Sequence, residues 1–112
     1  MTDKELLELA AKAAGIELLF EEMKDGGTYY YYKIPGDTQG WNPLNSDSDA
    51  LRLAVKLGLD VFHFDFKEPK GMQVWAAKPG NEAIRELLGN DPYAATRRAI
   101  VRAASEIGRG ME

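Results

Sequence analysis

The sequence predicts an α+β fold: a single-domain α/β sandwich, ordered α-β-β-α-β-β-(α)-α, whose four-stranded, mainly antiparallel sheet carries helices. Three observations predict it. Two helix-start signals, Thr2-Asp3-Lys4-Glu5 and Ser46-Asp47-Ser48-Asp49, each open a run of apolar residues at helical spacing. Each run leads into two alternating or β-favouring stretches separated by turn residues. A third start, Asp91-Pro92, opens an alanine-rich closing segment.

In chain order, Leu6, Leu9, Ala10 and Ala13 repeat at helical spacing and Gly15 stops them, which predicts a helix over residues 3–14. Ile16, Leu18 and Phe20 alternate with Glu17 and Glu21, as in a half-buried strand. Lys24-Asp25-Gly26-Gly27 is turn chemistry, and residues 28–34, with four consecutive tyrosines, complete a hairpin that Pro35-Gly36 ends. Residues 37–45 read as irregular. Ala50, Leu51, Ala54, Val55 and Leu57 give the next helix its apolar face, with Gly58 as the stop. Residues 61–66 alternate with three phenylalanines on one face and His63 and Asp65 on the other. Glu68-Pro69-Lys70-Gly71 turns, residues 72–77 form a strand, and Pro79-Gly80 ends it. Residues 81–88 can form a short helix stopped at Gly89, the optional element of the order above. The closing helix, over residues 91–108, buries Tyr93, Ile100, Ala103, Ala104 and Ile107.

Shifted by 44 residues, the chain overlays itself without a gap. Asp3 meets Asp47, Leu7 meets Leu51, Ala10 meets Ala54, Phe20 meets Phe64, Gly27 meets Gly71 and Pro35 meets Pro79. Two α-β-β units, residues 2–36 and 46–80, followed by a closing helix are the expected plan. Either the sequence is duplicated or two ordinary helix–hairpin units share caps and glycines.

The 112 residues suffice for one core and no second one. A chain of this size buries roughly 65% of its unfolded surface and needs no metal or disulfide to fold. No cysteine is present, which excludes disulfides, thiolate metal sites and cysteine nucleophiles. The start is acidic and no apolar run approaches the roughly 20 residues of a membrane span, so the expected product is cytoplasmic and free of membranes. Net charge is −4, with ten acids against four bases in residues 1–50 and eight against ten thereafter. Nucleic acid is therefore a poor partner, since phosphate neutralisation drives such binding.

With its Trp41-Asn42-Pro43-Leu44 loop, its acidic helix start and the closing segment Asp91-Pro92-Tyr93-Ala94-Ala95-Thr96-Arg97-Arg98-Ala99-Ile100-Val101-Arg102-Ala103-Ala104, the chain resembles the small bacteriophage and prophage proteins of the phage ABA sandwich domain type. The likeness covers about residues 39–107. It implies a phage or prophage origin, an α/β sandwich with helices on both sheet faces, and no established activity or catalytic residues.

Candidate sites are few. Asn45, Asp47 and Asp49 have the spacing of calcium-loop ligands, but Ala50 and Lys56 stand where that loop requires glycine and glutamate, so helix capping accounts for them. His63 with Asp65 has the form of a base and its orienting partner, yet no activated nucleophile accompanies it. No catalytic residue, metal or cofactor is expected.

The residues singled out for interaction are Tyr29 and Tyr31, joined on one sheet face by Trp75 and His63; the loop Trp41; the acids Glu17 and Glu21; and Arg98 and Arg102 near one stripe of the closing helix. Each has a plainer reading: a covered sheet face, a core plug, solvated charges. The expected function is non-enzymatic binding of a host protein, in its sharper form inhibition of a defence or replication complex. The alternatives are a small-ligand domain using the aromatic face and a homodimer paired through an edge strand at residues 28–34.

Overall fold

The structure is a computed structural model that describes residues 1–66 and 71–111, with Phe66 included as backbone only. The turn expected over residues 68–70 lies outside the described residues. The elements are α1 (Asp3–Ala14), β1 (Leu19–Glu22), β2 (Thr28–Ile34), β3 (Asp37–Gly40), α2 (Asp47–Leu57), β4 (Asp60–Phe66), β5 (Gly71–Ala77), β6 (Ile84–Leu87) and α3 (Pro92–Arg109). The strands form two separate antiparallel meanders, sheet A (β1-β2-β3) and sheet B (β4-β5-β6). The expected single four-stranded sheet is thereby corrected, and each repeated unit is α-β-β-β.

All three helices begin as their caps dictate. Thr2 accepts from the Glu5 amide while the Glu5 carboxylate accepts from Thr2, and Ser46 and Asp91 accept from the Asp49 and Ala94 amides. Such caps stabilise a helix by about 1 kcal/mol each. Gly15 and Gly58 close α1 and α2 at φ 73° and 67°, a left-handed geometry that carries no Cβ penalty in glycine.

Helices α1 and α3 run parallel. Asp3 pairs with Arg98 near their starts, and Lys12 reaches the Met111 carbonyl at their ends. Small residues (Ala10, Ala11, Ala14, Ala104, Gly108) make this close approach feasible, and all are buried. The main core joins Leu6, Leu7, Leu53, Trp41, Ile100 and Val101, with Leu18, Tyr30 and Tyr32 of the sheet A side packed against it. A second cluster sets Val74 and Ala76 of sheet B against Ala99 and Ala103 of α3. Each sheet therefore faces the helices with one side. Its other side carries exposed residues, Glu21 and Tyr29 on sheet A and Phe62 and Leu87 on sheet B.

Tyr93, expected in the buried stripe of the closing helix, is 69% exposed, and residues 37–40, expected to be irregular, form β3. Three expectations about the other strands and α2 fail for identifiable reasons. Residues 84–87 form strand β6 rather than a helix. Ile84 and Glu86 face α3, and Glu86 is tolerated there because Arg102 pairs with it. Leu51 and Val55 are exposed, because α2 turns Ala50, Leu53 and Ala54 inward. Strand β2 is the centre of sheet A, bonded on both sides, and so is no edge for dimer pairing.

The fourth failure has the largest consequence. The N-caps Thr2 and Ser46 are 44 residues apart, but the stop glycines Gly15 and Gly58 are 43 apart, because α2 is one residue shorter than α1. The register is restored in the hairpins. Five residues separate the paired Glu22 and Thr28, and six separate the paired Asp65 and Met72. Between those two points the strands are out of phase. Val61 and His63, not Phe62 and Phe64, take the inward places of Leu18 and Phe20, since a one-residue shift reverses every side chain of a strand.

Candidate interaction surfaces

That shift builds the outer face of sheet B. Phe62 pairs across the sheet with Trp75, and Phe64 with Gln73; Trp75 and Gln73 pair in turn with Arg85 and Leu87. The ring centroids of Phe64 and Trp75 lie 4.9 Å apart, those of Phe62 and Phe64 6.0 Å apart. The Arg85 guanidinium carbon sits 4.3 Å from the Trp75 ring centroid, a cation–π contact, and the indole nitrogen donates to Gln73 Oε1 at 3.1 Å. Phe62, Phe64 and Leu87 remain 51%, 37% and 65% exposed.

On sheet A the outer face holds Tyr29 and Tyr31, stacked at 5.6 Å and 17°, with Glu21 opposite Tyr29. Gly40 leaves room for this stack: a Cβ there would lie 2.9 Å from the Tyr29 hydroxyl. Tyr30 and Tyr32 point to the core. Burial raises the pKa of Tyr30 above its usual value. Thr28 opposes that shift through a hydrogen bond, and the Glu22 carboxylate adds to it.

The expected patch of Tyr29, Tyr31, Trp75 and His63 is not assembled. Trp75 belongs to the other sheet, and His63 faces α3, where its Nε2 lies 2.9 Å from Thr96 Oγ1. Thr96 gives its one hydroxyl proton to the Pro92 carbonyl at 2.8 Å. With that proton given to Pro92, Thr96 Oγ1 is placed to accept from His63 Nε2 rather than to be deprotonated by it.

Trp41 is 7% exposed and plugs the main core. Its loop is clamped from α3: Arg97 Nε donates to the Leu44 carbonyl at 2.8 Å and Arg97 Nη1 to Asp47 at 2.6 Å. Asp49 accepts from the Asn42 amide at 2.9 Å. Asp47 and Asp49 are thus engaged in holding the loop, and among the described residues no cluster of three or more acids or histidines could hold a metal ion. Arg98 and Arg102 are spoken for as well, by Asp3 and by Glu86 with the Arg85 carbonyl.

Glu17 lines a cleft of about 650 Å³ between the end of α1, helix α2 and sheet A. Ile16, Leu19, Tyr32, Trp41 and Leu53 supply its apolar lining, and Lys33, Arg52 and Lys56 its cations. The sequence reading missed these cations, as it missed Phe62, Phe64, Arg85 and Leu87. Arg52 and Lys56 recur at i and i+4 on α2, a spacing that was legible.

No helix among the described residues is long and apolar enough to cross a membrane. No family model matches the chain, and neither a curated protein nor a solved structure matches it.

Proposed function

We propose that this chain is a non-enzymatic accessory protein of a bacteriophage or prophage that binds a host protein in the bacterial cytoplasm, and that it does so through the outer face of sheet B. One observation carries the reading: Phe62, Phe64 and Leu87 stand exposed side by side with Trp75 and Arg85. Contiguous apolar faces of this kind mark interaction sites, and aromatic and arginine side chains dominate interface energies.

A protein fits this face better than a nucleic acid. Single-strand platforms combine stacked aromatics with a basic track. Among the described residues Arg85 is the one base at an outer position of sheet B, on a chain of net charge −4. Phage origin rests on the resemblance carried by residues 41–44 and 91–104, and inhibition of a defence or replication complex is the sharper version of the same reading.

The test is capture from bacterial lysate with tagged wild-type protein, Phe62→Asp, and Leu51→Asp as a control on an exposed α2 position. One protein recovered in stoichiometric amount by the wild type and the control, and lost with Phe62→Asp, is the expected result. Equal recovery by all three would place the interaction elsewhere. Recovery of the bait alone, with a dimer in solution that Phe62→Asp dissolves, would make a second copy of the chain the occupant.

A further inference from the structure

We propose that the cleft between α1, α2 and sheet A is a binding site for a small organic anion with a ring-bearing apolar body. This inference is independent of the sheet B reading, since it uses none of its residues. The first argument is size. About 650 Å³ lies within the range of small-molecule sites and is too confined for a folded partner. The second is the lining. Ile16, Leu19, Tyr32, Trp41 and Leu53 offer an apolar wall with two aromatic side chains, which suits a planar ring.

The third argument is charge. Lys33, Arg52 and Lys56 line the cleft, and none of their side chains has an ion-pair or hydrogen-bond partner among the described residues. By contrast, the four arginines of α3 all have acidic partners. The lining holds two carboxylates, Glu17 and Asp49, the latter also accepting from the Asn42 amide, so the three cations exceed the acids by one charge. A local excess of unpaired positive charge on a chain of net charge −4 selects an anionic head group. Arg52, with its planar fork of donors, suits a carboxylate, sulfonate or phosphate ester.

Titration with anilinonaphthalene sulfonate, an aromatic sulfonate whose fluorescence rises on binding, tests the site. Expected is one saturable site in the wild type, weakened about ten-fold or more in the double variant Arg52→Ala/Lys56→Ala and unchanged in Phe62→Asp. Arg52 and Lys56 are exposed, so the double variant keeps its fold, which thermal unfolding verifies. Three outcomes would overturn the proposal: binding indifferent to the two cations, binding lost with Phe62→Asp instead, or no saturable binding up to about 1 mM.

Discussion

Gly108 of α3 faces the Leu9 carbonyl of α1 so closely that a Cβ on Gly108 would lie 2.0 Å from that oxygen and 2.8 Å from its carbon. The obstacle is backbone, which cannot rotate aside as a side chain would. The parallel α1–α3 pair therefore depends on this one missing methyl. Gly108→Ala is expected to destabilise the protein by about 3 kcal/mol in chemical denaturation, at the upper end of overpacking effects. Gly110→Ala, whose Cβ meets nothing nearer than 3.6 Å, is expected to change stability by no more than about 0.5 kcal/mol.

Arg97 ties the Trp41 loop to α3 through the Leu44 carbonyl and Asp47. Asp47 is 70% exposed, so the ion pair itself contributes little. The bond to the half-buried Leu44 carbonyl matters more, because deleting the donor strands an acceptor. Arg97→Ala should cost about 2 kcal/mol. Arg97→Lys should recover less than half of that loss, since one ammonium cannot reproduce both bonds of the fork. Denaturation followed by tryptophan fluorescence measures both variants.

Tyr30 supplies a dependence on pH. Burial raises its folded-state pKa above the usual value near 10, so the unfolded chain loses the proton first as pH rises. The stability linked to this group is full below about pH 10 and falls as pH climbs from the unfolded pKa to the folded one. Tyr30→Phe has no such proton. Its stability, measured by urea titration at a series of alkaline pH values, should decline less steeply than that of the wild type.

Much of this architecture was legible. The capping patterns at Thr2, Ser46 and Asp91 place all three helix starts, because a cap is local chemistry. Strands β1, β2, β4 and β5 show in alternation or β-favouring residues. What escaped was set by tertiary partners. Strand β3, Asp37-Thr38-Gln39-Gly40, has no apolar period at all. In β6, Ile84 and Leu87 mimic helical spacing while Glu86 faces inward to meet Arg102. The site was hidden by the same kind of displacement: one residue fewer in α2 and one more in the second hairpin turn Phe62 and Phe64 outward, and the ungapped overlay conceals both changes. Trp75, Tyr29 and Tyr31 were found as surface aromatics, but which of them share a face depends on strand pairing that the sequence does not display.

The sheet B binding surface depends most on the phase of β4, with Phe62 outside and the buried Val74 of β5 inside. Comparing the stability of Phe62→Asp and Val74→Asp by chemical denaturation tests it directly. An aspartate at position 62 should remain solvated and change stability by no more than about 1 kcal/mol, whereas one at position 74, where Val74 is 0% exposed, should cost about 4 kcal/mol or prevent folding. A severe loss at position 62 would put the phenylalanine face in the core and contradict the binding surface proposed for sheet B.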